Sequence, residues 1–76
     1  MTDLRDQLAA TPGPRQLACL RLAAEGRSYI EIGQQLHIAR STVKTQLKRV
    51  MFILGARNTT HAVHIAHQRG LLRDDA

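Results

Sequence analysis

"IARSTVKTQLKRV", residues 38–50, puts two threonines, a serine and four cations into thirteen residues. Beyond it the apolar pattern continues: Val43, Leu47, Val50 and Leu54 follow at steps of four, three and four, which places them in one stripe along a helix over about residues 40–54. If that stripe faces a core, Arg40, Ser41, Lys44, Thr45, Lys48 and Arg49 flank or oppose it. The helix then has one greasy side and one side of hydroxyls and positive charge.

Working back from this stretch, "HIA" at 37–39 is too short for anything but a tight corner. Before the corner, "SYIE" at 28–31 reads as a capping box, with the Ser28 hydroxyl accepting from the Glu31 amide and the Glu31 carboxylate reaching back to the amide of Ser28. It predicts a short helix over about 29–36 that buries Ile32 and Leu36. Further back, "TPGPRQ" at 11–16 reads as a loop feeding another helix, with Gly13 as cap and Pro14 in the first helical position. Leu17, Leu20 and Ala24 recur along it until Gly26 stops it. Working forward, Gly55 ends the basic helix and Asn58 or Thr59 caps a fourth over about 60–69, which carries Ala62, Ile65 and Ala66 inward before Gly70. Residues 1–12 read as a tail or a short extra helix bearing Leu4 and Leu8, and 73–76 as a tail.

Composition agrees with an all-α chain. Seventy-six residues make one domain, 43% apolar but only 3% aromatic, so the core must come from Leu, Ile, Val and Ala in closely packed helices. A chain this short buries only roughly 60% of its extended surface, which leaves little room for a large enzyme pocket. The single cysteine, Cys19, excludes an internal disulfide and a cysteine-rich zinc site, and points to a reducing cytosol. No stretch approaches the ~20 apolar residues that span a bilayer, and the acidic N-terminus is unlike a signal peptide. The chain is expected to be neither exported nor embedded.

Net charge is +5, and its distribution says more than its sum. No acid lies between residues 32 and 73, a span that holds Arg40, Lys44, Lys48, Arg49, Arg57, Arg69 and Arg73. Two helices joined by a three-residue corner, the second longer and basic, have the plan of a helix-turn-helix whose second helix enters the DNA major groove. Lys can donate to guanine, Ser and Thr serve bases or phosphates, and a helix N-terminus points free amides at a backbone phosphate. A solvated basic face on an ordinary bundle has a similar composition. The short corner, the acid-free span and the hydroxyls favour the DNA reading.

"AEGRSYIEI", "STVKTQL", "LGARN" and the closing "GLL" resemble the four-helix DNA-binding domain of the LuxR type, also found as the output domain of NarL-type response regulators. The resemblance runs over residues 13–72 and implies a compact four-helix bundle containing a helix-turn-helix. It implies that Lys44, Thr45 and Lys48 reach base edges of double-stranded DNA and that Thr42 meets the phosphate backbone; Arg40 and Ser41, which crowd the helix N-terminus with Thr42, and Arg49 are read as further phosphate contacts. It also implies a homodimer on DNA through the fourth helix, around Ala62, Val63 and Ala66. A bacterial or phage source follows from the same likeness, with the cytoplasm, at the nucleoid, as the place of action.

The chain departs from the family pattern in several places. "PGPRQ" stands where "LTPRE" is usual, which weakens the first helix start, and Ala39 replaces a capping Ser at a cost of about 1 kcal/mol. Gln46 replaces a frequent His. Phe52 and Ile53 stand where Lys or Arg is usual, and Ile30 replaces another polar residue. These three are expected as exposed apolar residues, covered by Leu4 and Leu8, used as a contact for a partner protein, or simply scattered on the surface.

His61, His64 and His67 sit three apart on the fourth helix. Only two successive rings lie close enough to share a metal, so a full tetrahedral site would need a second subunit. No metal, cofactor or small-molecule substrate is expected, although imidazoles near neutrality could make dimerisation depend on pH. There is no phosphate loop, no nucleophile with a neighbouring base and no paired carboxylates, so no enzymatic role is expected. The expected function is a sequence-specific transcription regulator. The alternatives are a sigma-factor-like promoter reader working with RNA polymerase, and a module that binds another regulatory protein. No receiver or ligand-sensing segment precedes the domain in these residues, so control is expected from abundance, dimerisation or another protein.

Overall fold

Four helices follow one another in the computed structural model, which describes residues 11–72: α1 (Pro14–Ala24), α2 (Tyr29–Leu36), α3 (Arg40–Leu54) and α4 (Thr59–Gln68). The tail-or-helix reading of the N-terminus, its Leu4 and Leu8 included, falls on residues outside that range except for Thr11 and Pro12. The C-terminal tail at 73–76 lies wholly outside it. Among the described residues there is no strand, and no helix is long and apolar enough to cross a membrane.

Local chemistry sets the helix ends. Pro14 holds the first position of α1, and the Gln16 carboxamide accepts from the Gly13 amide at 2.9 Å. This is the reach-back half of a capping box, so the start of α1 is better supported than "PGPRQ" suggested. At α2 both halves form: the Glu31 carboxylate accepts from the Ser28 amide at 2.9 Å, and the Ser28 hydroxyl accepts from the Glu31 amide at 3.1 Å. Asn58, rather than Thr59, caps α4 by accepting from the His61 amide at 2.8 Å. Ala39 has the extended backbone of an N-cap but no side chain to cap with. Gly55, at φ +67, closes α3, with the Ala56 amide donating to the Met51 carbonyl at 2.8 Å. Gly26 and Gly70 end α1 and α4 in the same manner.

The core is built around α3, which packs on all three other helices. Its stripe of Val43, Leu47, Val50 and Leu54 is buried with Cys19, Leu20, Leu22, Ile32, Ala62, Ala66 and Leu72. Each large aliphatic side chain so buried contributes about 1.5–3 kcal/mol. On α1 burial does not follow the recurrence of Leu17, Leu20 and Ala24: Leu17 is half-buried and Ala24 exposed, while Cys19 and Leu22 are buried with Leu20. The reason is that α1 touches α2, α3 and α4, so its burial spreads beyond a single stripe. Leu36 is half-buried against the core rather than fully inside it.

Candidate nucleic-acid interface

The corner between α2 and α3 aims the basic helix. His37 takes the left-handed conformation at φ 59, and the Ile38 amide donates to the Gly33 carbonyl at 2.9 Å. Gly33 itself is buried. A Cβ there would stand 2.6 Å from the Ile38 carbonyl oxygen, so only glycine lets the corner fold this tightly onto α2. A glycine inside an eight-residue helix was the available signal for this close approach, and it was missed.

With the stripe of α3 turned inward, Arg40, Ser41, Lys44, Thr45, Lys48 and Arg49 are exposed and Thr42 is half-buried at the helix start. Among the described residues no carboxylate pairs with the cations of this face; the ion pair found there joins Arg27 and Glu25 at 3.7 Å. The Thr45 hydroxyl donates back to the Ser41 carbonyl at 3.1 Å, which leaves its oxygen able to accept and orients the side chain along the helix. Ser28, Tyr29 and Ile30 at the start of α2 line a shallow depression with Arg40, Ser41 and Lys44. The starts of two helices thus flank one hollow whose cations are Arg40 and Lys44. Tyr29 was not singled out from sequence, since nothing local says which loop faces α3.

The other residues picked out from sequence divide. Ile30 and Phe52 are exposed, Phe52 at 84%, as expected. Ile53 is instead half-buried, because it lies three residues from Val50 and so leans toward the core stripe. Ala62 and Ala66 are both 0% exposed within a single chain, inward as their spacing suggested, which leaves Val63 as the half-buried member of the expected dimer segment. On α4, Val63 is half-buried and His64 and His67 are exposed. His61 belongs to the helix start, its Nδ1 accepting from the Arg57 amide at 3.1 Å. Among the described residues no three His, Cys, Asp or Glu side chains converge to hold a metal ion.

Among the described residues one carboxyl and one thiol have displaced pKa values. Glu31 is lowered, first by the backbone hydrogen bond from Ser28 and then by the Ser28 hydroxyl. Burial raises the Cys19 thiol, with Arg15 pulling the other way.

Comparison with known proteins agrees with the geometry. Residues 13–66 match the family described as "Bacterial regulatory proteins, luxR family". The chain is 39% identical over 67 residues to the HTH-type quorum sensing-dependent transcriptional regulator VjbR of Brucella ovis, covering 88% of this chain and 26% of that protein. It is 36% identical over 56 residues to the response regulator RamR of Streptomyces coelicolor, covering 74% and 28%. With the transcriptional regulatory protein LiaR of Bacillus subtilis it shares 38% over 58 residues, covering 76% and 28%. The chain spans about a quarter of the length of these curated relatives.

Proposed function

The chain belongs to the luxR family of bacterial regulatory proteins, and on that premise we infer that it regulates transcription as a sequence-specific reader of double-stranded DNA. α3 lies in the major groove. Lys44, Thr45 and Lys48 read base edges, while Arg40, Ser41, Thr42 and Arg49 hold phosphates. The observation that carries this reading is the division of α3: Val43 and Leu47 are 0% and 1% exposed, while Lys44 and Lys48 are exposed with no carboxylate partner among the described residues.

Physical chemistry accounts for the two kinds of contact. Lys44 and Lys48 have no carboxylate partner among the described residues, so meeting DNA breaks no ion pair with those residues and releases condensed counterions. Sequence reading comes from donors held in a fixed register, which the buried stripe and the Gly33 corner supply. The unit on DNA is a homodimer whose half-sites lie about one helical turn, roughly 34–36 Å, apart. On α4, half-buried Val63 and exposed Thr60, His64, His67 and Gln68 are open to a second copy.

Selection of bound sequences from random duplex DNA, followed by titration of the winner, tests this. A single enriched motif, bound at least about a thousandfold more tightly than unrelated DNA, is the expected result. Equal affinity for every duplex, or binding only in the presence of RNA polymerase, would sink it.

A further inference from the structure

A groove runs between the start of α1 and the C-terminal half of α3, lined by Gln16, Thr45, Lys48, Arg49, Phe52 and Ile53. Phe52 stands 84% exposed in it and Ile53 is half-buried, while Lys48 and Arg49 supply the charge. An aromatic ring left in water beside two cations favours an occupant that is both apolar and acidic.

The chain carries such a segment. Residues 1–10, "MTDLRDQLAA", hold Leu4 and Leu8 four apart in sequence, with Asp3 and Asp6 against the single cation Arg5 around them. The described chain begins at Thr11, five residues before Gln16 on the groove wall, and ten extended residues reach about 33 Å. The remaining acids are less suited. Glu25 pairs with Arg27 and Glu31 caps α2. Asp74 and Asp75 follow Leu72, which sits beside Arg21, Ala24 and Glu25 at the far end of α1, and their segment has no large apolar side chain.

We propose that residues 1–10 dock in this groove, Leu4 and Leu8 against Phe52 and Ile53 and the two aspartates toward Lys48 and Arg49, and that the docked segment competes with DNA for Lys48 and Thr45. The competition rests on the DNA-binding reading above; the docking does not. So short a tether holds the segment at an effective concentration on the order of millimolar, enough to fill a weak site. A groove filled about 80% of the time lowers the apparent DNA affinity about fivefold, because only the open fraction binds.

Two charge-neutral variants of the full chain test it, L4S/L8S and F52S, each read by amide NMR and by titration with the selected duplex. In L4S/L8S the amides of Gln16, Lys48, Arg49 and Ile53 are expected to shift, equally at high and tenfold lower protein concentration. F52S is expected to shift the amides of Leu4 and Leu8, and both variants to bind DNA several-fold more tightly than the parent. Unmoved groove amides in L4S/L8S overturn the docking. Shifts that fade on dilution overturn it too, since they place a second copy in the groove. Unchanged DNA affinity beside clear amide shifts overturns the competition. If neither variant nor parent binds any duplex, the DNA reading and the competition fail together, while the amides still decide the docking.

Discussion

Gly33 and Ile38 meet so closely that a methyl group on Gly33 would lie 2.6 Å from the Ile38 carbonyl oxygen, within the corner that sets α3 against α2. The obstacle is backbone, which cannot swing aside as a side-chain tip can. Whatever loosens this contact changes the aim of Lys44 and Lys48 without touching either.

Gly33→Ala is therefore expected to destabilise the fold by about 1–3 kcal/mol, the usual range for overpacking a tight site. In a domain this small each kcal/mol lowers Tm by about 4–8 °C, which thermal unfolding measures directly. A variant that melts with the parent would mean that the corner opens at no cost.

Lys48→Ala and Arg49→Ala should fail differently. Loss of a base contact at Lys48 should cost about 1–3 kcal/mol on the preferred site and relax preference at one position. Loss of a phosphate contact at Arg49 should weaken all duplexes alike and reduce the salt slope by about 1. Titrations on the selected and an unrelated duplex at several salt concentrations separate the two, and identical profiles would refute the division of labour along α3.

At Ala39 a serine should stabilise the chain by about 0.5–2 kcal/mol. The backbone already has N-cap geometry, and a hydroxyl would accept one of the free amides of α3. Chemical denaturation gives the value. No gain in midpoint would mean that these amides already have partners in water as good as a hydroxyl.

Acid should weaken α2. The folded state lowers the Glu31 pKa through the hydrogen bonds from Ser28, so the carboxylate's contribution is present above the ordinary Glu range and is lost as pH falls through the lowered folded value. Glu31→Gln should flatten that part of the stability-versus-pH curve. A parent and a variant with parallel acid limbs would show that the box contributes nothing through charge.

Cys19 is 0% exposed and its thiol pKa is raised by burial, so the thiolate is disfavoured as well as hidden. Its modification by a thiol reagent in native buffer should proceed only through opening of the fold, and should accelerate in Gly33→Ala by about tenfold for each ~1.4 kcal/mol of stability lost. Rapid labelling of the intact parent would contradict the burial of this side chain.

The four helices were legible because their causes are local. The Ser28–Glu31 box, Pro14 at a helix start, the stops at Gly26, Gly55 and Gly70 and the stripe from Val43 to Leu54 each act within a turn or along one helix. The face of α3 that stays wet followed from the stripe by subtraction, and with it the placement of Lys44, Thr45 and Lys48. The half box at Gln16 escaped notice only because its Gly13 partner has no side chain to complete the pattern.

Tertiary contacts decided the rest. Which faces of α1 are buried depends on three helices passing over it, which no periodicity within α1 records. Ala62 and Ala66 are read inward from their spacing and are so placed, but they are small enough to suit a helix crossing inside the chain or one between chains, and it is the path of α4 across α1 and α3 that fills the space against them. Ile53 and Phe52 are neighbours in sequence with opposite fates, because a step of about 100° around α3 separates the edge of a packed surface from open water. Local backbone and capping energies are written in a few adjacent residues; the choice of which surfaces meet is a sum over distant ones.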